Sequence, residues 1–258
     1  MINRIEEVWA YRGMLVSIVK RDLRSRYKGS FLGFLWTFVN PLLQLVVYSI
    51  VFPYILKVTQ ENYAMFLFIA LLPWIFFTSS LQGATTSIVA GSNLVKKIYF
   101  PRIILPLAAV STNLMNYIYG LSIVFAALLI TGVHLTVNVL WLPVVLLIEF
   151  IFIFGLALIF SSLYVKYRDL EHIVNVLTFV WFYLTPIVFP ITIFPEQIGE
   201  MVGYNPMVPI IESFRDILLN GTPPDWNRLL YSLIIGVIVL IVGVLLFEKC
   251  EKTFAEEL

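Results

Sequence analysis

Few side chains in this sequence stand where they could do chemistry. Glu149, in the run VVLLIEFIFIF, is the only carboxylate well inside an apolar segment. Such a group could carry a proton, line a polar path or hold helices together as a hydrogen-bonded carboxyl. His134 and His172 fall on opposite sides of the membrane in the topology that the charges set, so they cannot share a metal. Cys250 is the sole cysteine, which excludes an intramolecular disulfide and a cysteine-based metal cluster and leaves an incidental cytosolic thiol. No GxxxxGK[ST], HExxH, GxSxG or EF-hand pattern occurs, so the chain lacks the phosphate loop needed to hydrolyse ATP alone. What remains is polar residues inside apolar runs: Thr78, Ser79, Ser80, Gln82, Thr85, Thr86 and Ser87 in one, Ser111, Thr112, Asn113 and Asn116 in the next. Such groups must face protein or a water-filled path. Helix packing accounts for the small hydroxyls, while for the amides both readings stand. The clusters PWIFF (73–77) and FVWFY (179–183) could stack on sugar rings or simply pack a core.

These residues have to be held by membrane-spanning elements. The chain has 258 residues, 60% hydrophobic and only 13% charged, against about 25% charged in a soluble domain. It could not cover its own surface in water. Apolar runs at 34–56, 64–90, 104–131, 141–164, 173–190 and 229–247 each approach the roughly 20 residues that cross the hydrocarbon layer. Residues 4–28 read as one amphipathic helix at the membrane interface, with Ile5, Val8, Trp9, Leu15, Val16, Val19, Leu23 and Tyr27 as its apolar face and Trp9 and Tyr27 at headgroup depth. Gly29 and Gly33 bracket a break after it. The first thirty residues are charged throughout, so no cleavable signal peptide is expected and the first span serves as the insertion signal. Fourteen of the seventeen basic residues lie in the N-terminal segment, alternate loops and tail, and only Lys57, Arg215 and Arg228 lie opposite. Both termini are therefore expected in the cytoplasm.

Segment 190–227 is rich in prolines and in apolar stretches too short to span. Ile210, Ile211, Phe214, Ile217 and Leu218 share a helical face that Asn220-Gly221 and Pro223-Pro224 end. Two short helices that dip into the outer leaflet and return are expected there. The basic loop NLVKKIYFPR (93–102) reads either as a helix that docks into a soluble partner or as a plain positive-inside loop. The expected fold is all-α and integral to the membrane: a single domain with an interfacial helix (4–28), a six-span bundle (34–247), re-entrant outer helices (190–227) and a cytosolic tail (248–258).

Along nearly the whole chain the sequence resembles type-2 ABC exporter permeases, the membrane subunits that export O-antigens, capsules and wall teichoic acids. The strings RDLRSRYKGSFLGFLWTFVNPLLQLVVY, LLPWIFFTSSL, NLVKKIYFPRIILPLAAVSTNLMNY, VKYRDLEHI and LTPIVFPITIFPEQIGEMVGYNPMVPIIESFRDILLNG carry the likeness by their order and spacing. The resemblance implies a homodimer with a polymer-wide channel at its interface, in the cytoplasmic (inner) membrane. It implies two copies of a separate ATPase subunit that binds ATP and Mg, with no cofactor or metal on this chain and no nucleic-acid partner. The implied substrate is an undecaprenyl-diphosphate-linked polysaccharide, O-antigen or wall teichoic acid. Residues 4–28 would be the gate helix, with Arg24, Arg26 and Lys28 facing the lipid diphosphate beside the loop holding Leu32 and Gly33. Trp36, Trp74, Phe77, Trp181 and Tyr183 are the implied channel-lining aromatics. Lys96, Lys97, Tyr99 and Phe100 would form a coupling helix on the ATPase, and Tyr167, Arg168 and Asp169 a second contact. Alternatives are a same-fold exporter of drugs or lipids, a membrane-integral polyprenyl-sugar transferase around Asp169, Glu171 and His172, and a passive channel.

Overall fold

In lipid a lone segment satisfies its backbone only as a helix, and the described residues hold helices and no strand. The computed structural model describes residues 2–27, 62–132, 135–191 and 195–258, with scattered positions between 35 and 51. Helices α1 (Ile2–Ala10), α2 (Arg12–Tyr27), α3 (Tyr63–Ala90), α4 (Ser92–Lys97), α5 (Ile104–Thr131) and α6 (Leu142–Lys166) come first. They are followed by α7 (Leu170–Tyr183), α8 (Glu196–Gly203), α9 (Met207–Arg215), α10 (Trp226–Glu251) and α11 (Phe254–Glu257). A 3-10 turn at Val137–Trp141 leads into α6, and a π-helical turn at Asp216–Asn220 continues α9.

Four helical stretches are long and apolar enough to cross a membrane: Tyr63–Lys97, Ile104–Ile130, Val137–Lys166 and Trp226–Glu251. They match the expected second, third, fourth and sixth spans. Most of the expected first span, 34–56, lies outside the described residues; Leu42, Leu43, Val46, Val47 and Ile50 within it are helical and exposed. The fifth span, expected over 173–190, is instead the 14-residue α7. At about 1.5 Å per residue it reaches about 21 Å, short of the bilayer core. Its end falls just before Pro186, whose ring cannot continue the hydrogen-bond ladder.

Helix α3 is the hub. Its residues are buried on nearly every side, and α5, α6, α7 and α9 pack around it. Asn113 of α5 donates to the Ser79 carbonyl of α3 at 3.1 Å, which assigns that amide to packing rather than to an open path. Helix α10 lies along α6 at very short range through glycines. A methyl group added at Gly155 would lie 2.6 Å from the Leu240 nitrogen, and one at Gly243 would lie 2.5 Å from the Gly155 oxygen. Only bare backbone fits there, as in membrane helix pairs joined by small residues.

The N-terminal segment differs from its expected form. It is two helices broken at Tyr11, not one. The inward side chains of α2 are Leu15, Ile18 and Val19, packed with Tyr11 and Met14 against Val95, Phe100, Ile104, Leu105 and Ala108. Trp9 and Val16, expected on the apolar face, are 69% and 48% exposed. Tertiary packing on α5 thus keeps Leu15 and Val19 of the expected face, adds Ile18 from outside it, and leaves Trp9 and Val16 out.

Candidate functional site

Two ends of the bundle gather the polar residues. At the first, α3 and α6 finish, α5 and α7 begin, and α10 returns. The basic residues Lys96 and Lys97 close α4, an exposed turn of helix between α3 and α5. Tyr99 follows it and is 84% exposed, whereas Phe100 is buried in the cluster under α2. Of the four expected coupling residues on this loop, three are thus presented outward and Phe100 anchors the loop from beneath. Arg102 ties the loop to the end of α10, with its backbone N–H and guanidinium both donating to Glu251. Behind the loop lies a groove of about 600 Å³, lined by Glu7, Lys96, Lys97, Tyr99, Arg102 and Glu248 among others. Tyr167, Arg168 and Asp169 are exposed in the turn between α6 and α7 at this same end. That turn is braced from below: Arg168 lies 5.4 Å over the Tyr164 ring, and the Tyr164 hydroxyl donates to Glu171 at 3.0 Å. Arg24 is exposed on α2; Arg26, Lys28, Leu32 and Gly33 have no described side-chain placement.

The five aromatics expected to line a channel separate into two groups. Trp74 and Phe77 are buried, their rings tilted against one another at 5.2 Å, with Phe77 stacked on Phe152 and edge-to-face contacts to Phe182 and Trp181. They form the protomer's own core and offer no surface to a passing polymer. Trp181 is half-buried in that cluster, with its indole N–H donating to Asn205 at 2.9 Å. Tyr183, 60% exposed, and Trp36, 40% exposed, remain open. Tyr183 belongs to a continuous bare stripe on α7 with Ile173, Val176, Phe179 and Val180, since only Val174 and Thr178 of that helix are buried.

At the opposite end the expected pair of short helices is present as α8 and α9. Ile210, Ile211, Phe214, Ile217 and Leu218 are all buried, so the predicted helical face is a core face. One residue there escaped the sequence reading except as a basic count. Arg215 is 2% exposed, and it donates to the carbonyls of Phe66 (3.2 Å), Pro186 (2.6 Å) and Ile187 (2.7 Å). It also pairs with Glu212 at 2.7 Å and lies 3.5 Å over the Phe66 ring. Burial pushes this guanidinium down to about 10, with Glu212 opposing the shift, so it stays charged at neutral pH. No local pattern announces such a residue, because its carbonyl partners lie 28 to 149 positions away.

Buried Glu149 has no hydrogen-bond partner on either oxygen, and the buried hydroxyls of Tyr117 and Ser80 also have none. Among the described residues no cluster of His, Cys, Asp or Glu could hold a metal ion.

Comparison with known proteins fits this layout. A family model for the ABC-2 type transporter matches residues 14–219. The O-antigen export system permease protein RfbA of Myxococcus xanthus is 36% identical over 260 residues, covering 100% of both chains. RfbA of Klebsiella pneumoniae is 35% identical over 94% of each chain. The capsule polysaccharide export inner-membrane protein CtrC of Neisseria meningitidis is 22% identical over 96% of this chain and 95% of its own. A helical bundle with four stretches long and apolar enough to span, an exposed basic loop and a match over most of its length make this chain a member of the ABC-2 type transporter family.

Proposed function

We propose that the chain is the channel-forming subunit of an exporter for polyprenyl-diphosphate-linked polysaccharide, of the O-antigen kind. The observation that carries this reading is the end-to-end similarity to permeases whose names state O-antigen export. A homodimer forms the pathway between protomers, and two copies of a separate ATPase dock on the end that presents Lys96, Lys97, Tyr99 and the Tyr167–Asp169 turn. Both termini lie on that side, in the cytoplasm of the cell whose inner membrane holds the protein.

The bare stripe on α7 and the exposed Leu42, Leu43, Val46, Val47 and Ile50 support an interface role, because an apolar face left open in the protomer needs lipid or a second copy to cover it. Tyr183 and Trp36 are the aromatics that can meet the polymer, stacking on sugar faces as it slides. Arg24, Arg26 and Lys28 attract the diphosphate at the inner leaflet, where cations beside the membrane surface bind anionic headgroups. ATP binding and hydrolysis in the partner move the loops around α4, and rigid-body shifts open the path. This chain forms and breaks no bond in the polymer.

The test is a deletion of the gene in its native strain, with polymer followed on each side of the inner membrane. Lipid-linked polymer is expected to accumulate in the cytoplasm, and the purified protein is expected to bring an ATPase subunit with it. Normal surface polymer in the deletion strain, or a purified chain that carries no ATPase, would remove the exporter reading.

A further inference from the structure

The short α7 leaves a specific problem. Past its end the chain runs on as irregular backbone through a buried site, where each carbonyl must find a donor. Here every carbonyl from 184 to 188, apart from Thr185, is met by a side chain from elsewhere. Asn205 donates to the Leu184 carbonyl at 3.1 Å, Arg215 to those of Pro186 and Ile187, and Tyr63 to that of Val188 at 3.1 Å. Asn205 further donates to the Thr185 hydroxyl at 2.9 Å and accepts from the Trp181 indole and the Met207 backbone N–H. Arg215 in turn reaches the Phe66 carbonyl on α3. Thr185, Pro186, Ile187 and Val188 are all buried.

We propose that Arg215 and Asn205 are positioning residues that lock the outer segment, residues 196–220, to the end of α7 and the start of α3, so that these parts travel as one body during transport. The proposal rests on the export reading for its transport arm alone. Arg215 supplies a rigid planar fork that addresses several carbonyls at once and cannot be neutralised. Pulling the segment away would break the guanidinium's bonds to several carbonyls at once and leave each of these buried groups to find a new partner. A flap that swings by itself is therefore disfavoured, and any opening at this end occurs where the locked bodies of two protomers meet.

Hydrogen exchange on the full chain in lipid nanodiscs tests the lock without transport. Arg215→Lys keeps the charge and loses the fork; exchange is expected to rise at least tenfold in both 184–191 and 207–215. A rise confined to 207–215 would overturn the proposal. The second arm needs no change at Arg215. In a Cys250→Ser background, Tyr204→Cys and Tyr231→Cys place thiols on two residues now joined by the Tyr231 hydroxyl donating to the Tyr204 carbonyl at 2.8 Å. A short, reducible bis-thiosulfonate then bridges α8 to α10 within one protomer. Bridged and unbridged complexes are expected to export polymer at rates within twofold. The start of α10 belongs to the same body, because the Tyr231 and Ser232 hydroxyls donate to the Tyr204 and Pro206 carbonyls at 2.8 Å. Export abolished by the bridge and restored by reductant would show that the segment swings against that body and would sink the idea. If the unbridged complex moves no polymer at all, the export reading fails, and the exchange arm still decides the lock.

Discussion

Glu149 and Arg215 are the charged side-chain types that the described fold buries most completely, and it treats them in opposite ways. A guanidinium keeps its charge under all ordinary conditions, so it persists in a core only where donors are matched. Arg215 has that match. A carboxyl can dispense with its charge by holding a proton, and Glu149 sits without any partner. Glu149→Gln keeps the shape and removes the ionisable group. It is expected to shift the thermal midpoint in detergent by no more than about 2 °C, under about 1 kcal/mol for a chain of this size. A fall of about 10 °C would mean that a charged Glu149 has a structural partner. The aromatics follow the same residue-scale logic. Trp74 and Phe77 could have lined a path as well as Tyr183 by type, yet burial removes the first two and leaves the third.

At the scale of elements, the close pair α6–α10 carries the sharpest expectation. Gly155→Leu forces a side chain into the Leu240 backbone, which has no flexible end to yield. A destabilisation of about 3 kcal/mol or more is expected, since overpacking typically costs about 1–3 kcal/mol even where side chains can shift. Gly203→Ala on α8 is the control, because a methyl group there meets nothing within 4 Å. Thermal unfolding monitored by thiol or tryptophan reporters should separate the two by about 5 °C or more. Equal midpoints would mean that α6 and α10 are not in backbone contact. The break of the N-terminal segment at Tyr11 belongs to this scale too: α2 docks on α5 through Leu15, Ile18 and Val19, while Glu7 of α1 borders the basic groove.

For the whole molecule, the question is which end faces which compartment. Tyr99 and Tyr204 are the markers, 84% and 72% exposed at opposite ends of the bundle. In a Cys250→Ser background, Tyr204→Cys is expected to react with an impermeant maleimide in intact spheroplasts. Tyr99→Cys is expected to react only after permeabilisation, as the positive-inside rule requires. The reverse pattern would invert the topology and place the basic groove away from any cytosolic ATPase.

The sequence by itself determined that this is a helical membrane protein, where four of its spans lie, which end carries the basic residues, and that no nucleotide-binding motif is present. Length, apolar runs and charge bias report these directly, because lipid imposes the same demand on every segment. The two short helices between the last two apolar runs were also readable, since prolines and a local apolar face mark them. Only the tertiary structure decided which apolar positions of α2 turn inward, which aromatics are core, and that Arg215 and Asn205 tie together the end opposite the basic loops. Each of those depends on contacts between residues far apart in the chain. Periodicity records which faces are apolar, whereas the choice among apolar faces, and the partner for each freed carbonyl, is made by packing.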